Sequence, residues 1–171
     1  FSLIIFFFLY TVEMFSYGTE CQKRSDEGVK NYANFFNEID TIKSFNSIHQ
    51  FDKKYQAFIA MPSFLIGSEK IGKESWGHII DFSYQFSLAT NLPMFNRMMS
   101  RSSWSQTFAL SRFFASKYSN KDSIYKYCNT KPILIIKESN ATLEEGEEYL
   151  IQNSQFLTAY KNWNLYSLDL N

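Results

Sequence analysis

The densest group of side chains able to do acid–base, nucleophilic or anion-binding work lies between Pro62 and Asp81 (PSFLIGSEKIGKESWGHIID). It holds Ser63, Ser68, Glu69, Lys70, His78 and Asp81. A serine followed by a histidine and an acid could run nucleophilic catalysis, with Ser63 or Ser68 attacking and His78 taking the proton. Such a trio arises easily by chance and does not define a triad. The favoured reading is a solvated loop in which His78 faces water or holds a local contact. A second group, Arg101-Ser102-Ser103, stands before a predicted helix, where a guanidinium, hydroxyls and free amides could hold a phosphate-like anion. Helix capping is its simpler role. Ser68, Glu69, His78, Arg101 and Ser102 are thus the substrate-binding candidates, and no catalytic residue is assigned.

Motifs that would name a reaction are absent. The chain lacks G-x-S-x-G, a Walker loop, G-x-G-x-x-G, H-E-x-x-H and C-x-x-C, which removes most motif-bearing hydrolases, nucleotide binders and zinc enzymes. Two histidines, His49 and His78, do not make a metal site, and no metal or other cofactor is expected. Cys21 and Cys128 allow either a disulfide in an oxidising compartment or two thiols, and their spacing does not choose. Asn140-Ala141-Thr142 matches a glycosylation acceptor, although Thr142 is also placed to cap a helix.

Composition sets the scale. The 171 residues are 45% hydrophobic and 19% aromatic, with 17 basic and 17 acidic side chains. That suits one domain with an ample core and excludes collagenous, disulfide-dense and wholly disordered chains. The charge balance argues against a nucleic-acid partner. Charge is uneven, however: residues 82–137 hold eight basic side chains against Asp122, a net of +7, and residues 138–171 hold six acids against Lys161, a net of −5. Mutual neutralisation across the fold is favoured over a basic face for phosphates or lipid heads.

The elements that must position these groups follow from periodicity. Phe1 to Val12 (FSLIIFFFLYTV) is almost wholly apolar and continues through Met14, Phe15 and Tyr17 past Glu13. The run predicts the end of a transmembrane helix over 1–17, given that a full span needs roughly 20 residues. A signal peptide fits less well, without a basic n-region or a cleavage site, and a buried core segment is the plain alternative. Residues 18–34 read as a polar linker, and 35–171 as a soluble domain. Asp40 is expected to cap a short helix carrying Ile42, Phe45 and Ile48. Tyr55 to Met61 predicts a buried strand stopped by Pro62, and Ser75 opens a helix to about Thr90, ended by Asn91-Leu92-Pro93. Ser102 or Ser103 starts another, to about Tyr118, with Trp104, Phe108, Leu110 and Phe114 as its core stripe. Ile133 to Ile136 is the strongest strand signal. Thr142 and Glu145 have capping-box spacing for a helix that tolerates Gly146 at about 1 kcal/mol. Strands at 156–160 and 165–170, turning at Asn162-Trp163-Asn164, complete an α/β fold: a small mixed sheet with flanking helices, preceded by the transmembrane helix.

Taken in order, several short stretches form a pattern: the apolar segment ending in an acid, Tyr55-Gln56-Ala57-Phe58-Ile59-Ala60-Met61-Pro62, Gly67-Ser68-Glu69 and Asn91-Leu92-Pro93. Ser100-Arg101-Ser102-Ser103, Pro132-Ile133-Leu134-Ile135-Ile136 and Leu165-Tyr166-Ser167-Leu168 continue it. The pattern spans most of the chain and resembles the C-terminal soluble domain of bacterial multi-pass membrane proteins similar to GT-C-type glycosyltransferases. The resemblance implies an extracytoplasmic α/β domain behind the last spanning helix. It also implies a parent protein that transfers sugar from a lipid-phosphate carrier, using an acid in an early extracytoplasmic loop that has no counterpart in this sequence. No catalytic residue carries over, and Met61 and Phe64 depart from the leucine and aromatic pattern of the strand end. The expected function is assistance in substrate binding, with the bilayer and a lipid-phosphate-linked sugar as partners. A membrane-anchored, non-catalytic binding or interaction module is the alternative.

Overall fold

A computed structural model describes residues 19, 20, 22, 23, 25, 26, 34–66, 78–98, 103–116, 118, 119, 121 and 128–170, with Leu65, Ile66, Arg97 and Met98 described by their backbone alone. The chain forms two compact units, Phe1–Glu38 and Ile39–Asn171. In the first, the described residues from Thr19 to Asp26 are helical, and the rings of Phe35 and Phe36 meet edge to face at 5.7 Å. The expected transmembrane segment over 1–17 lies outside the described residues, and no described helix is long and apolar enough to cross a membrane.

The second unit is a mixed α/β fold around a four-stranded sheet. Its strands are β1 (Ala57–Met61), β4 (Ile133–Glu138), β5 (Ser154–Tyr160) and β6 (Trp163–Leu168), in the order β1-β4-β6-β5. β1 and β4 are parallel, with Ile59 opposite Ile135. β6 is antiparallel to both β4 and β5. A separate parallel pair joins β2 (Leu65–Ile66) to β3 (Arg97–Met98). All of β1 and the first four residues of β4 are buried, as unbroken apolar runs require when both faces are covered.

Alternation divides the core into two layers. Phe58, Leu134, Ile136, Trp163 and Leu165 share one face by register. It is met by residues 39–49 of a helix over 34–49 (α1), by α2 (Phe51–Lys54) and by α3 (His78–Thr90). Aromatic contacts dominate here: Phe82 stacks on Trp163 at 4.2 Å, Phe86 meets Phe58 at 5.2 Å, and Phe45 meets Tyr160 at 4.7 Å. On the other face Ile59, Met61, Ile133, Ile135 and Leu168 pack with Leu110, Phe113 and Phe114 of α4 (Trp104–Phe114) and Leu150 of α5 (Glu145–Gln152). Each such fully buried side chain contributes about 1.5–3 kcal/mol.

Several local expectations need correction. Asp40 does not cap a helix, because helical backbone already begins at residue 34; its carboxylate instead pairs with Lys43 at 3.0 Å. Ile48 is 75% exposed. Ser103 does cap α4, accepting the Gln106 amide at 3.2 Å, but the helix ends at Phe114. Its core stripe is Thr107, Leu110, Phe113 and Phe114, while Trp104 and Phe108 face outward. The capping box lies two residues beyond the expected one, at Glu144 and Glu147. The hairpin turns at Lys161-Asn162, with Trp163 buried in β6.

Gly146 is required rather than tolerated. A Cβ there would lie 1.6 Å from the Ala115 carbonyl oxygen and 2.4 Å from that of Phe114. The first turn of α5 therefore abuts the carboxyl end of α4, bringing a positive helix terminus to a negative one. Other orphan carbonyls of α4 find side-chain donors, as buried backbone acceptors must. Ser119 Oγ donates to Arg112 O at 2.6 Å, and buried Lys121 Nζ donates to Phe113 O at 2.6 Å.

Candidate functional site

In α/β folds, ligands gather where parallel strands end at their carboxyl termini. In this chain that place is the end of β1 and β4, and the residues there are held by a chain of backbone and side-chain bonds. β1 ends at Met61, whose peptide bond to Pro62 is cis. The next residue, Ser63, is buried and donates its amide to Glu147 Oε1 at 2.7 Å. The other carboxylate oxygen, Oε2, accepts the Glu144 amide at 2.9 Å. Glu147 is wholly buried, so both oxygens exchange water for amides, which satisfies a group that would otherwise be costly to bury. Its position on the first turn of α5 adds the favourable end of that helix's dipole.

The outer edge of β1 is closed by residues 93–96. Phe58 N donates to Pro93 O at 3.0 Å and Phe95 N to Phe58 O at 2.9 Å. Beyond that the ladder is continued by a side chain. Buried Asn96 accepts the Ala60 amide through Oδ1 at 2.6 Å and donates to the Ala60 carbonyl through Nδ2 at 2.9 Å. A carboxamide offers one acceptor and a donor, as a peptide group does, and here it replaces one. At the start of the parallel pair, Gln56 performs a similar task, accepting from Asn129 N at 2.8 Å and donating to Asn129 O and Lys131 O.

Of the five substrate-binding candidates, Ser68, Glu69, His78, Arg101 and Ser102, only His78 belongs to the described residues. It is exposed at the first position of α3, and no hydrogen bond joins it to Ser63. Ser68, Glu69, Arg101 and Ser102 lie outside the described residues, two to four positions past the ends of β2 and β3 in the sequence. Among the described residues no group of three histidine, cysteine or acidic side chains is placed to hold a metal ion. Burial pushes the Cys128 thiol upward and the Lys121 ammonium downward. Lys121, Lys131 and Lys137 donate to backbone carbonyls rather than to the acids of residues 138–171.

Sequence reasoning missed the residues that organise this edge. Glu147 stands among four acids between Leu143 and Tyr149, a composition that the first turns of a helix favour in general, and the spacing of Glu144 and Glu147 is the available signal. Asn96 carries no local signal, because nothing in its neighbours reveals that a strand edge lies beside it. Compared with known protein families, curated proteins and solved structures, the chain matches none of them.

Proposed function

We propose that the chain is part of an integral membrane protein resembling lipid-linked-sugar glycosyltransferases, in which the α/β unit is extracytoplasmic and assists substrate binding rather than carrying the chemistry. The observation that carries this reading is the juxtaposition in one sequence of the apolar run Phe1–Val12 with an α/β unit from Ile39 onward. The bound group on this reading is a sugar on a lipid-phosphate carrier, presented at the bilayer surface. The carboxyl ends of β1 and β4, with the residues that follow β2 and β3 in the sequence, are its place of contact.

The test has two arms. The full chain expressed in bacteria should stay with membranes through alkaline carbonate extraction, and Phe7→Lys should release it; recovery of the wild type in the wash overturns membrane integration. In lipid discs, a polyprenyl-phosphate-linked hexose should change the exchange of amides around residues 61–66 and 94–98. No change with the linked sugar, at any excess over the bare lipid phosphate, overturns the substrate assignment and leaves attachment standing.

A second reading, an anchored interaction module, is favoured by one observation. β5 is an edge strand without a charged residue, and Phe156 and Leu157 on it are 54% and 37% exposed. Such an edge can accept a partner's strand.

A further inference from the structure

We propose that Asn140 is an acceptor for N-linked glycosylation; this rests on the extracytoplasmic reading above, since the saccharide donor and the transferring enzyme act on that side of the membrane. Among the asparagines of the chain, Asn140 alone is followed two places on by a serine or threonine, in Asn140-Ala141-Thr142. The triplet by itself is a minimal signal that arises often by chance. Its surroundings in the fold carry it further.

The rival role of Thr142 falls away. The helix that follows is capped by Glu144, with Glu147 closing the capping box, and Thr142 is left exposed ahead of it. Asn140 is exposed as well, in the turn that follows β4. Neither the Asn140 carboxamide nor the Thr142 hydroxyl has a hydrogen-bond partner among the described residues. Their neighbours are fully engaged. Ser139 donates both its amide and its hydroxyl to Asn162 O, at 2.8 and 2.9 Å, and the Ala141 amide donates to Glu138 O at 3.2 Å. The backbone of the turn is thus fastened to the β5–β6 hairpin, while the two side chains that the signal requires are spare. A saccharide on Asn140 breaks no bond of the fold and extends into water, as so bulky and polar a group must. Glu138, the last residue of β4, stands two places before Asn140. It completes the longer Glu-x-Asn-x-Thr acceptor that single-subunit bacterial oligosaccharyltransferases take.

In the transfer, Asn140 Nδ2 forms a bond to the anomeric carbon of a saccharide carried on a polyprenyl diphosphate. The bond from that carbon to the diphosphate oxygen breaks, and the polyprenyl diphosphate leaves with its electron pair. Nδ2 gives up one of its two protons to a base of the enzyme, and the carboxamide becomes a secondary amide.

The test expresses the full chain in bacteria that carry such an enzyme and its polyprenyl-diphosphate-linked saccharide, with and without an added acceptor tail, Asp-Gln-Asn-Ala-Thr, after Asn171. Intact-mass spectrometry should show one glycan on the wild type and two on the tailed chain. Asn140→Gln and Thr142→Ala should each lose the glycan of the wild type completely, and Thr142→Ser should keep it. Glu138→Gln should lose most of it, and unchanged occupancy there overturns the role given to Glu138. A tailed chain modified on the tail but not on Asn140 overturns the inference while the extracytoplasmic reading stands. A tailed chain modified at neither place overturns both.

Discussion

At the β1 edge of the sheet, every exposed backbone position of the strand is answered. Residues 93–95 supply peptide groups, Asn96 supplies a carboxamide in place of one, and Glu147 holds the amide just beyond the strand. At the opposite edge, among the described residues, β5 pairs with β6 alone, carries an irregular register between Phe156 and Thr158, and shows Phe156 and Leu157 to solvent. The difference teaches where uniqueness is invested. The β1 side is built from parallel pairing between distant segments, which local sequence cannot enforce, so specific buried polar bonds keep it in register. The β5 side is a two-residue hairpin whose register the turn itself sets, and it can leave its outer edge uncovered.

Substitutions on the β1 side should therefore do the most harm. Asn96→Ala leaves the amide and carbonyl of Ala60 without partners in a buried place, and should lower stability by about 4 kcal/mol, two groups at about 2 kcal/mol each. Urea unfolding followed by circular dichroism measures it, and a loss below about 1 kcal/mol would mean that water replaces the carboxamide. Gly146→Ala drives a methyl into the Ala115 carbonyl and should cost about 3 kcal/mol by pushing α4 and α5 apart. The same unfolding curves should show it, with weakened protection of the Leu150 amide by hydrogen exchange.

Glu147→Gln keeps one acceptor and turns an amino group toward the other amide. A loss of about 2 kcal/mol is expected, and Glu147→Ala should be worse.

Lys121 sharpens the comparison through pH. Burial lowers its pKa in the folded chain below the ordinary 10.5. Between the folded value and 10.5 the unfolded chain binds more protons, so stability should rise with pH across that window. The urea midpoint of the wild type should climb there relative to that of Lys121→Met, and a parallel pair of curves would show that the ammonium is solvated. The smallest stability effect belongs to the β5 edge. Leu157→Lys should change unfolding by no more than about 0.5 kcal/mol yet reduce self-association in light scattering, because a charge on an edge strand deters strand pairing.

Much of the architecture was legible as periodicity. The apolar runs within Tyr55–Met61 and Ile133–Ile136 read as buried strands, and Ser102 or Ser103 read as a helix start because a hydroxyl oxygen there meets free amides; the structure trims the first strand to Ala57–Met61 and chooses Ser103. The errors share a physical origin. A stripe at helical spacing has two sides, and Trp104 and Phe108 satisfy the same period as Leu110 and Phe113; the choice of inward side depends on where the sheet lies. Gly146 looked like a weak point in a helix because the carbonyls pressed against it come from residues 114 and 115, about thirty positions away in the chain. The capping box moved from Thr142 and Glu145 to Glu144 and Glu147 because the latter's carboxylate had a second partner, Ser63, that only the fold brings near.

The sequence alone determined the class of fold: alternating helical and extended periods, two apolar runs long enough for buried strands and a terminal pair short enough for a hairpin. It also determined the chemistry the chain could draw on, including the acceptor signal at Asn140. Tertiary structure decided which side of α4 faces the core, that Asn96 would act as a length of backbone, and that Glu147 would be a buried acceptor rather than a solvated charge. Those outcomes depend on contacts between segments some thirty to ninety residues apart, and the energy of such a contact is set by geometry that no local pattern contains.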